Sequence, residues 1–269
     1  MSRAGNWPVI RYVPNMNNLL DGANELLRET VDLLGDAAME TLFVGGWGPY
    51  IRNTESHPGT KDVDILFPKS YSRDDIKAAT QNFLDAGFFL SAKHDFQLFR
   101  QYKIGNHTYI FNVDLLHPAI QKVSKAEFVD VIDLDITFDG TLAKKVKTIC
   151  IVGGNLLFDH SLYVETEYRG QKFNTLSPAG IVLSKLQSCH NAKRSRDIFD
   201  IHLSLLENPN VGKEIDELAN QYDNVSEMLD DYRDRLKTKW FFYEQCLTDF
   251  GVELTDKTQN QLVELAIGT

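Results

Sequence analysis

The stretch Leu42–Pro68, LFVGGWGPYIRNTESHPGTKDVDILFP, narrows what this chain can fold into more than any other. An apolar strand runs into Gly45-Gly46, a short amphipathic turn follows, and a second strand opens with Asp62 and Asp64. Side chains alternate between faces along a strand, so residues i and i+2 share a face. Asp62 and Asp64 therefore project together, while Val63 and Ile65 turn into the core. Carboxylates beside a glycine turn that can approach phosphate suit a hard cation carrying a nucleotide. Mg²⁺ takes oxygen ligands and is commonly held by one or two carboxylates plus substrate phosphates.

A third acid follows. Gln97–Tyr102 and Tyr109–Leu116 read as a hairpin turning at Gly105-Asn106. The second of these strands is apolar apart from Asn112 and Asp114. A charge in such a strand is costly unless paired or metal-bound, which makes Asp114 the natural third ligand. This order resembles the DNA polymerase β-like nucleotidyltransferase superfamily: a hydrophobic strand, Gly-Gly or Gly-Ser, Asp-x-Asp, and a later Asp on a neighbouring strand. Gly45, Gly46, Asp62, Asp64 and Asp114 stand at the matching positions. The interval from Gly46 to Asp62 is longer than the family's usual one, which implies extra structure in the loop Asn53–Lys61.

The chain has 269 residues, 43% hydrophobic and 25% charged, enough for one large domain or two modest ones and ordinary for a globular protein. No apolar run approaches the roughly 18 residues of a membrane span. The start, Met1–Pro8, lacks a signal-peptide core. Cys150, Cys189 and Cys246 are widely spaced and odd in number, against a disulfide framework or a zinc site. A cytoplasmic protein with reduced thiols and no membrane partner is expected. The net charge of −10 disfavours broad nucleic-acid binding, which draws on many phosphate contacts, but leaves room for a local basic patch or a basic partner protein.

Helical spacing spans Asn17–Leu34, with Gly35 placed as the cap. Ser72 and Asp75 form a capping box for a helix to about Ala86. Thr148–Phe158 and Leu162–Leu176 read as strands, the latter folded back at Arg169-Gly170. Ser177-Pro178 starts a helix, with Ser as cap and Pro as first residue, and the rest reads as largely helical. The predicted fold class is α/β (α+β): a mixed sheet with flanking helices over 1–176, and a mostly helical domain over 177–269. His57, His94, His107 and His117 show no metal spacing and read as structural. Asp216–Asp234 reads as a solvated helix face, and Trp240–Tyr243 as core or a partner surface.

Between Lys185 and Arg196 the sequence has four basic residues and no acid, and His190–Ser195 is expected to interrupt the helix there. Lys185 starts from the apolar part of a helix. It is either a snorkelling lysine or a phosphate ligand facing the Asp62/Asp64 edge. Asp200 is either catalytic or an ion-pair partner of Arg194 or Arg196. Arg52 either touches phosphate from the glycine turn or caps a short helix, and Lys61 either neutralises the acids or binds substrate. Leu183, Lys185 and Leu186, then Arg196, Asp197, Asp200 and Ile201, resemble the helical segments of abortive-infection nucleotidyltransferases, the toxins of type IV toxin–antitoxin pairs.

The resemblance implies an enzyme that moves an NMP from an NTP to an RNA (a tRNA acceptor end among the candidates) or to a protein hydroxyl, with a cognate antitoxin as partner. It implies two Mg²⁺ ions, or Mn²⁺ in their place, at Asp62, Asp64 and Asp114. Gly45, Gly46, Arg52, Lys61, Lys185 and Asp200 would face the nucleotide, and Lys185 would join the acids in catalysis. A small-molecule transferase of the antibiotic-modifying type and an inactive partner-binding module are the alternative readings.

Overall fold

A computed structural model describes residues 16–91, 94–118, 131–138, 142–151, 153–255 and 257–265. The Met1–Pro8 stretch that bears on a leader lies outside them. Helix α1 (Leu19–Leu34) begins as its sequence dictates. The Asn18 side chain accepts from the Asp21 amide at 2.9 Å, and the Asp21 carboxylate accepts from the Asn18 amide at 3.2 Å. These reciprocal bonds satisfy donors that a helix N-terminus otherwise leaves unpaired. A 3₁₀ turn (Gly35–Met39) leads into β1 (Leu42–Val44), α2 (Trp47–Arg52) and β2 (Val63–Leu66). Helix α3 (Arg73–Asp85) opens with the Ser72/Asp75 capping box. Then come β3 (Phe89–Leu90), β4 (Gln97–Ile104), β5 (His107–Pro118), β6 (Val131–Phe138), β7 (Leu142–Ile151), α4 (Gly154–Asp159), β8 (Tyr163–Tyr168) and β9 (Gln171–Leu176).

The sheet is mixed, in the order β3-β4-β5-β2-β1-β9-β8, with β7 also pairing β5 and β6 pairing β7. Strand β2 runs antiparallel to β1 and parallel to β5, and β5 runs antiparallel to β4. Alternation sorts the faces. On β4, Leu98, Arg100, Tyr102 and Ile104 are buried, while Gln97, Phe99, Gln101 and Lys103 stay partly or fully open. On β5, Phe111, Val113 and Leu115 are buried, while Asn112 and Asp114 are half-buried. Helix α1 packs close to the core face: a methyl group at Gly22 would overlap the fully buried Phe111 ring. Inside this core, the Arg100 guanidinium pairs with Glu29 at 3.2 Å, donates to the Ala86 carbonyl at 2.9 Å and lies over the Phe88 ring.

Strand β7 stops at Ile151, short of the predicted strand Thr148–Phe158, and Leu156–Phe158 are helical in α4. Gly153 takes φ +73°, which ends the extended run. A short apolar segment does not declare strand or helix by periodicity alone. After Ser177, whose hydroxyl accepts from the Gly180 amide at 3.2 Å, the chain is helical: α5 (Pro178–Lys185), 3₁₀ turns at Ser188–His190 and Ala192–Arg194, α6 (Arg196–Glu207), α7 (Val211–Gln221), α8 (Asp223–Thr238), α9 (Trp240–Asp249) and α10 (Thr258–Val263). The break between α5 and α6 falls where the basic run was expected to interrupt the helix.

The chain divides into two compact units. One takes Met1–Trp47, Gly59–Asn155 and Glu165–Asn174; the other takes Gly48–Pro58, Leu156–Val164 and Thr175–Thr269. Among the described residues no helix is long and apolar enough to cross a membrane. Cys189 and Cys246 are free and buried.

The Gly22 packing yields a direct check. Alanine gains about 1 kcal/mol over glycine in a helix interior, whereas overpacking a filled core costs about 1–3 kcal/mol. Because the Phe111 ring has no open side, the clash outweighs the propensity. Gly22→Ala is expected to lower stability by about 1 kcal/mol or more, read as a shift in the urea midpoint at unchanged slope.

Candidate active site

Strands β2 and β5 set the geometry of the first unit's acids. Their parallel register places Val63 beside Val113, Asp64 beside Asp114 and Ile65 beside Leu115. Val63, Ile65, Val113 and Leu115 are fully buried, so the pleat turns Asp64 and Asp114 to the opposite, more open face. Neighbouring strands lie about 4.8 Å apart, which makes these carboxylates side-by-side neighbours. Asp62, just ahead of β2, extends the row, and its Oδ1 accepts from Nδ2 of Asn112 at 3.3 Å. Directly across the antiparallel pair from Asp114 stands Gln97, whose Nε2 donates to Asp114 Oδ1 at 2.8 Å.

The glycine turn meets the same face. Val44 pairs with Asp64, so the chain leaves β1 at the acid and enters Gly45. Gly45 adopts φ +79°, and a Cβ there would collide with Asp64 Oδ2. Only glycine answers both demands. The Trp47 indole N–H donates to the main-chain carbonyl of Asp62 at 3.0 Å, fastening the end of the turn to the start of the acid pair. Lys61, next in the chain, is exposed.

The donor set suits a hard divalent cation in kind: three carboxylates at adjacent positions of one half-open face. Among the described residues, no three His, Cys, Asp or Glu side chains close on one point at ligating spacing. The amides of Asn112 and Gln97 engage Asp62 and Asp114 instead.

The second unit holds the remaining predicted residues in a different setting. Lys185, at the end of α5, is buried and forms ion pairs with Asp197 Oδ1 at 2.6 Å and Asp200 Oδ2 at 2.9 Å. The Ser188 hydroxyl donates to the second oxygen of Asp197 at 2.5 Å. Asp200, fully buried on α6, also meets His57 Nε2 at 3.0 Å, with Arg196 Nε at 3.8 Å. His57 reaches it from the loop after α2, where its own amide closes a turn on the Asn53 carbonyl at 2.8 Å. Lys185 is thus held inside a carboxylate pair rather than snorkelling, and Asp200 pairs with Arg196 as one of three cationic or proton-donating neighbours.

Burial works against the charge on both Lys185 and Asp200, but their mutual attraction and that of Asp197 prevail. Lys185 is held above its ordinary value, and Asp200 below the usual carboxylate range. Arg52, at the end of α2, donates to Glu207 at 2.8 Å and to the Thr175 hydroxyl at 3.3 Å. Sequence reasoning took His57 as structural, named Asp197 only within the family pattern, and gave no part to Asn112 or Gln97. Only contact across long sequence separations reveals them.

The family comparison gives the class: a nucleotidyltransferase. Residues 59–239 match the family model for the nucleotidyl transferase AbiEii toxin of type IV toxin–antitoxin systems. The chain belongs to that family and is a nucleotidyltransferase enzyme. Membership implies a nucleotide substrate and an antitoxin partner.

Solved structures similar to this chain include JHP933 from Helicobacter pylori, at 11% identity and TM-score 0.45 over 93% of this chain and 90% of that one. The antibiotic-resistance factor ANT(2'')-Ia aligns at 12% identity and TM-score 0.41 over 82% and 96%. An antigenic nucleotidyltransferase-like protein from Paracoccidioides brasiliensis aligns at 14% and 0.35 over 77% and 92%. No match is found among curated protein sequences.

Removing one partner of a buried ion pair costs about 3–5 kcal/mol, because the remaining charges lose their compensation. Lys185→Met is expected to destabilise by about that amount at neutral pH in denaturant unfolding. Asp200 has a folded pKa below its unfolded one, so its stabilisation is complete above the ordinary carboxylate range and is lost as pH falls through the lowered value. The stability gap between wild type and Lys185→Met is therefore expected to narrow below about pH 4.

Proposed function

We propose that this enzyme transfers a nucleoside monophosphate from an NTP to a hydroxyl of an RNA, a tRNA among the candidates, or of a protein, with Mg²⁺ or Mn²⁺, as the toxin of a toxin–antitoxin pair acting in the cytoplasm. The observation that supports it most is the Asp64–Asp114 register on one face, with Gly45 pressed against Asp64. Asp62, Asp64 and Asp114 would hold the metal. Divalent ions held there would supply charge stabilisation to the attacking and leaving oxygens of an in-line displacement.

The chain's own groups do the rest. Gly45 and Gly46 let main-chain N–H groups approach the phosphates without a side chain in the way. Asp114 helps activate the acceptor hydroxyl. A bond forms between the acceptor oxygen and the α-phosphorus, the bond to the β-phosphate oxygen breaks, and pyrophosphate leaves. From the family pattern we assign Lys185 to offset phosphate charge and Asp200 to hold Lys185. Arg52 and Lys61 are assigned to the nucleotide as well. The division of labour we propose is a catalytic domain over 1–176 and a helical domain over 177–269.

Each of the four α-labelled NTPs, offered with Mg²⁺, total RNA and the protein itself, tests this reading. Label is expected in RNA or protein with wild type, and at background with Asp62→Ala, whose circular dichroism should be unchanged. An Asp62→Ala enzyme that still transfers, or a wild type that labels neither acceptor with any NTP, contradicts it.

A further inference from the structure

Two neutral amides, at positions that nothing in the motif specifies, end on the proposed metal-bearing acids. Asn112 stands two residues before Asp114 on the same face of β5, and its amide nitrogen reaches Asp62 Oδ1 at 3.3 Å across the parallel β2/β5 edge. Gln97 reaches Asp114 Oδ1 at 2.8 Å across the antiparallel β4/β5 edge. The contacts come from different strands and different pairings, yet each fixes a carboxylate by one oxygen. Asp62, Asp64, Asn112 and Asp114 form a square of side chains on one face, three acidic corners and one amide.

The chemistry of the partner matters. A lysine or arginine in either place would fix the carboxylate equally well but would cancel its charge and repel a cation. An amide donates a hydrogen bond and leaves the negative charge in place. Donors that hydrogen-bond a ligating carboxylate orient it and raise the fit of a site to its ion.

We propose that Asn112 and Gln97 are positioning residues that hold the Asp62 and Asp114 carboxylates ready for a divalent cation, a role that rests on the reading of these acids as the metal site. Both side chains are half-buried on the open face, so their loss removes the donors without excavating the core.

Mn²⁺ alone is the probe, titrated against wild type, Asn112→Ala and Gln97→Met, with free Mn²⁺ read by electron paramagnetic resonance and melting temperature read in parallel. Each variant is expected to melt within a few degrees of wild type and to bind Mn²⁺ about 10–100-fold more weakly, the usual effect of losing an outer-shell partner. A purely structural pair would move the melting temperature and not the affinity. If one variant does not fold, the other decides. Wild-type affinity in the folded variants overturns the proposal, and if labelled NTP is still transferred it overturns this proposal alone. Weakened Mn²⁺ binding supports it whether or not the wild type transfers label, so a failure of nucleotidyl transfer is seen separately. No Mn²⁺ binding by the wild type overturns both.

Discussion

The parallel pairing of β2 with β5 is the constraint from which the first unit's chemistry follows. Strand side chains alternate with period two, so a slip of one residue in β2 would carry Asp64 into the core and Ile65 to the open face. The register is held by the fully buried Val63, Ile65, Val113 and Leu115. At about 25 cal/mol per Å² of apolar surface, burying each such side chain is worth about 1.5–3 kcal/mol. A slipped strand would forfeit that gain and bury a carboxylate as well. The apolar residues of β2 and β5 thus fix the position of the polar ones. The glycine turn depends on the same register, since Gly45 lies against Asp64 only because Val44 pairs with it.

The second unit uses charge in the opposite way. Lys185, Asp197, Asp200 and His57 are withdrawn from water and satisfy one another. Such a cluster is poor at adding net stability, because desolvation consumes most of the attraction, and costly to break. It joins the loop before β2 to α5 and α6 by polar contacts that tolerate little rearrangement. It also changes the reading of the basic run. With Lys185 buried, Lys193 and Arg194 are its exposed cations, set against a net charge of −10 for the chain.

Much of this was legible in the sequence because local rules and tertiary structure agree. The capping signals at Gly35, Ser72 and Ser177, the hairpin turn at Gly105-Asn106 and the Asp-x-Asp alternation each depend on neighbours in the chain. The strand predicted through Phe158 failed because Leu156-Leu157-Phe158 is equally apolar in either conformation, and Gly153 decided the matter. Strand β6 and the start of β7 were not predicted, although Val131–Phe138 alternates apolar and polar residues and the turn-type pair Asp139-Gly140 follows it; only the end of β7 fell within the strand predicted from Thr148. His57 was read as structural for want of metal spacing, and its partner Asp200, 143 residues on, appears only in the fold. Gln97 and Asn112 look like ordinary strand polar residues until the register sets them against Asp114 and Asp62. Alternation gives the face a side chain takes, but pairing supplies its neighbour.

The most direct test of this account is a crystal of the protein soaked with Mn²⁺ and a non-hydrolysable NTP analogue, examined for anomalous scattering. The account predicts a manganese peak bounded by Asp62, Asp64 and Asp114, with the analogue's phosphates against the Gly45-Gly46 turn. A peak at another cluster, or an analogue bound away from that turn, would contradict it.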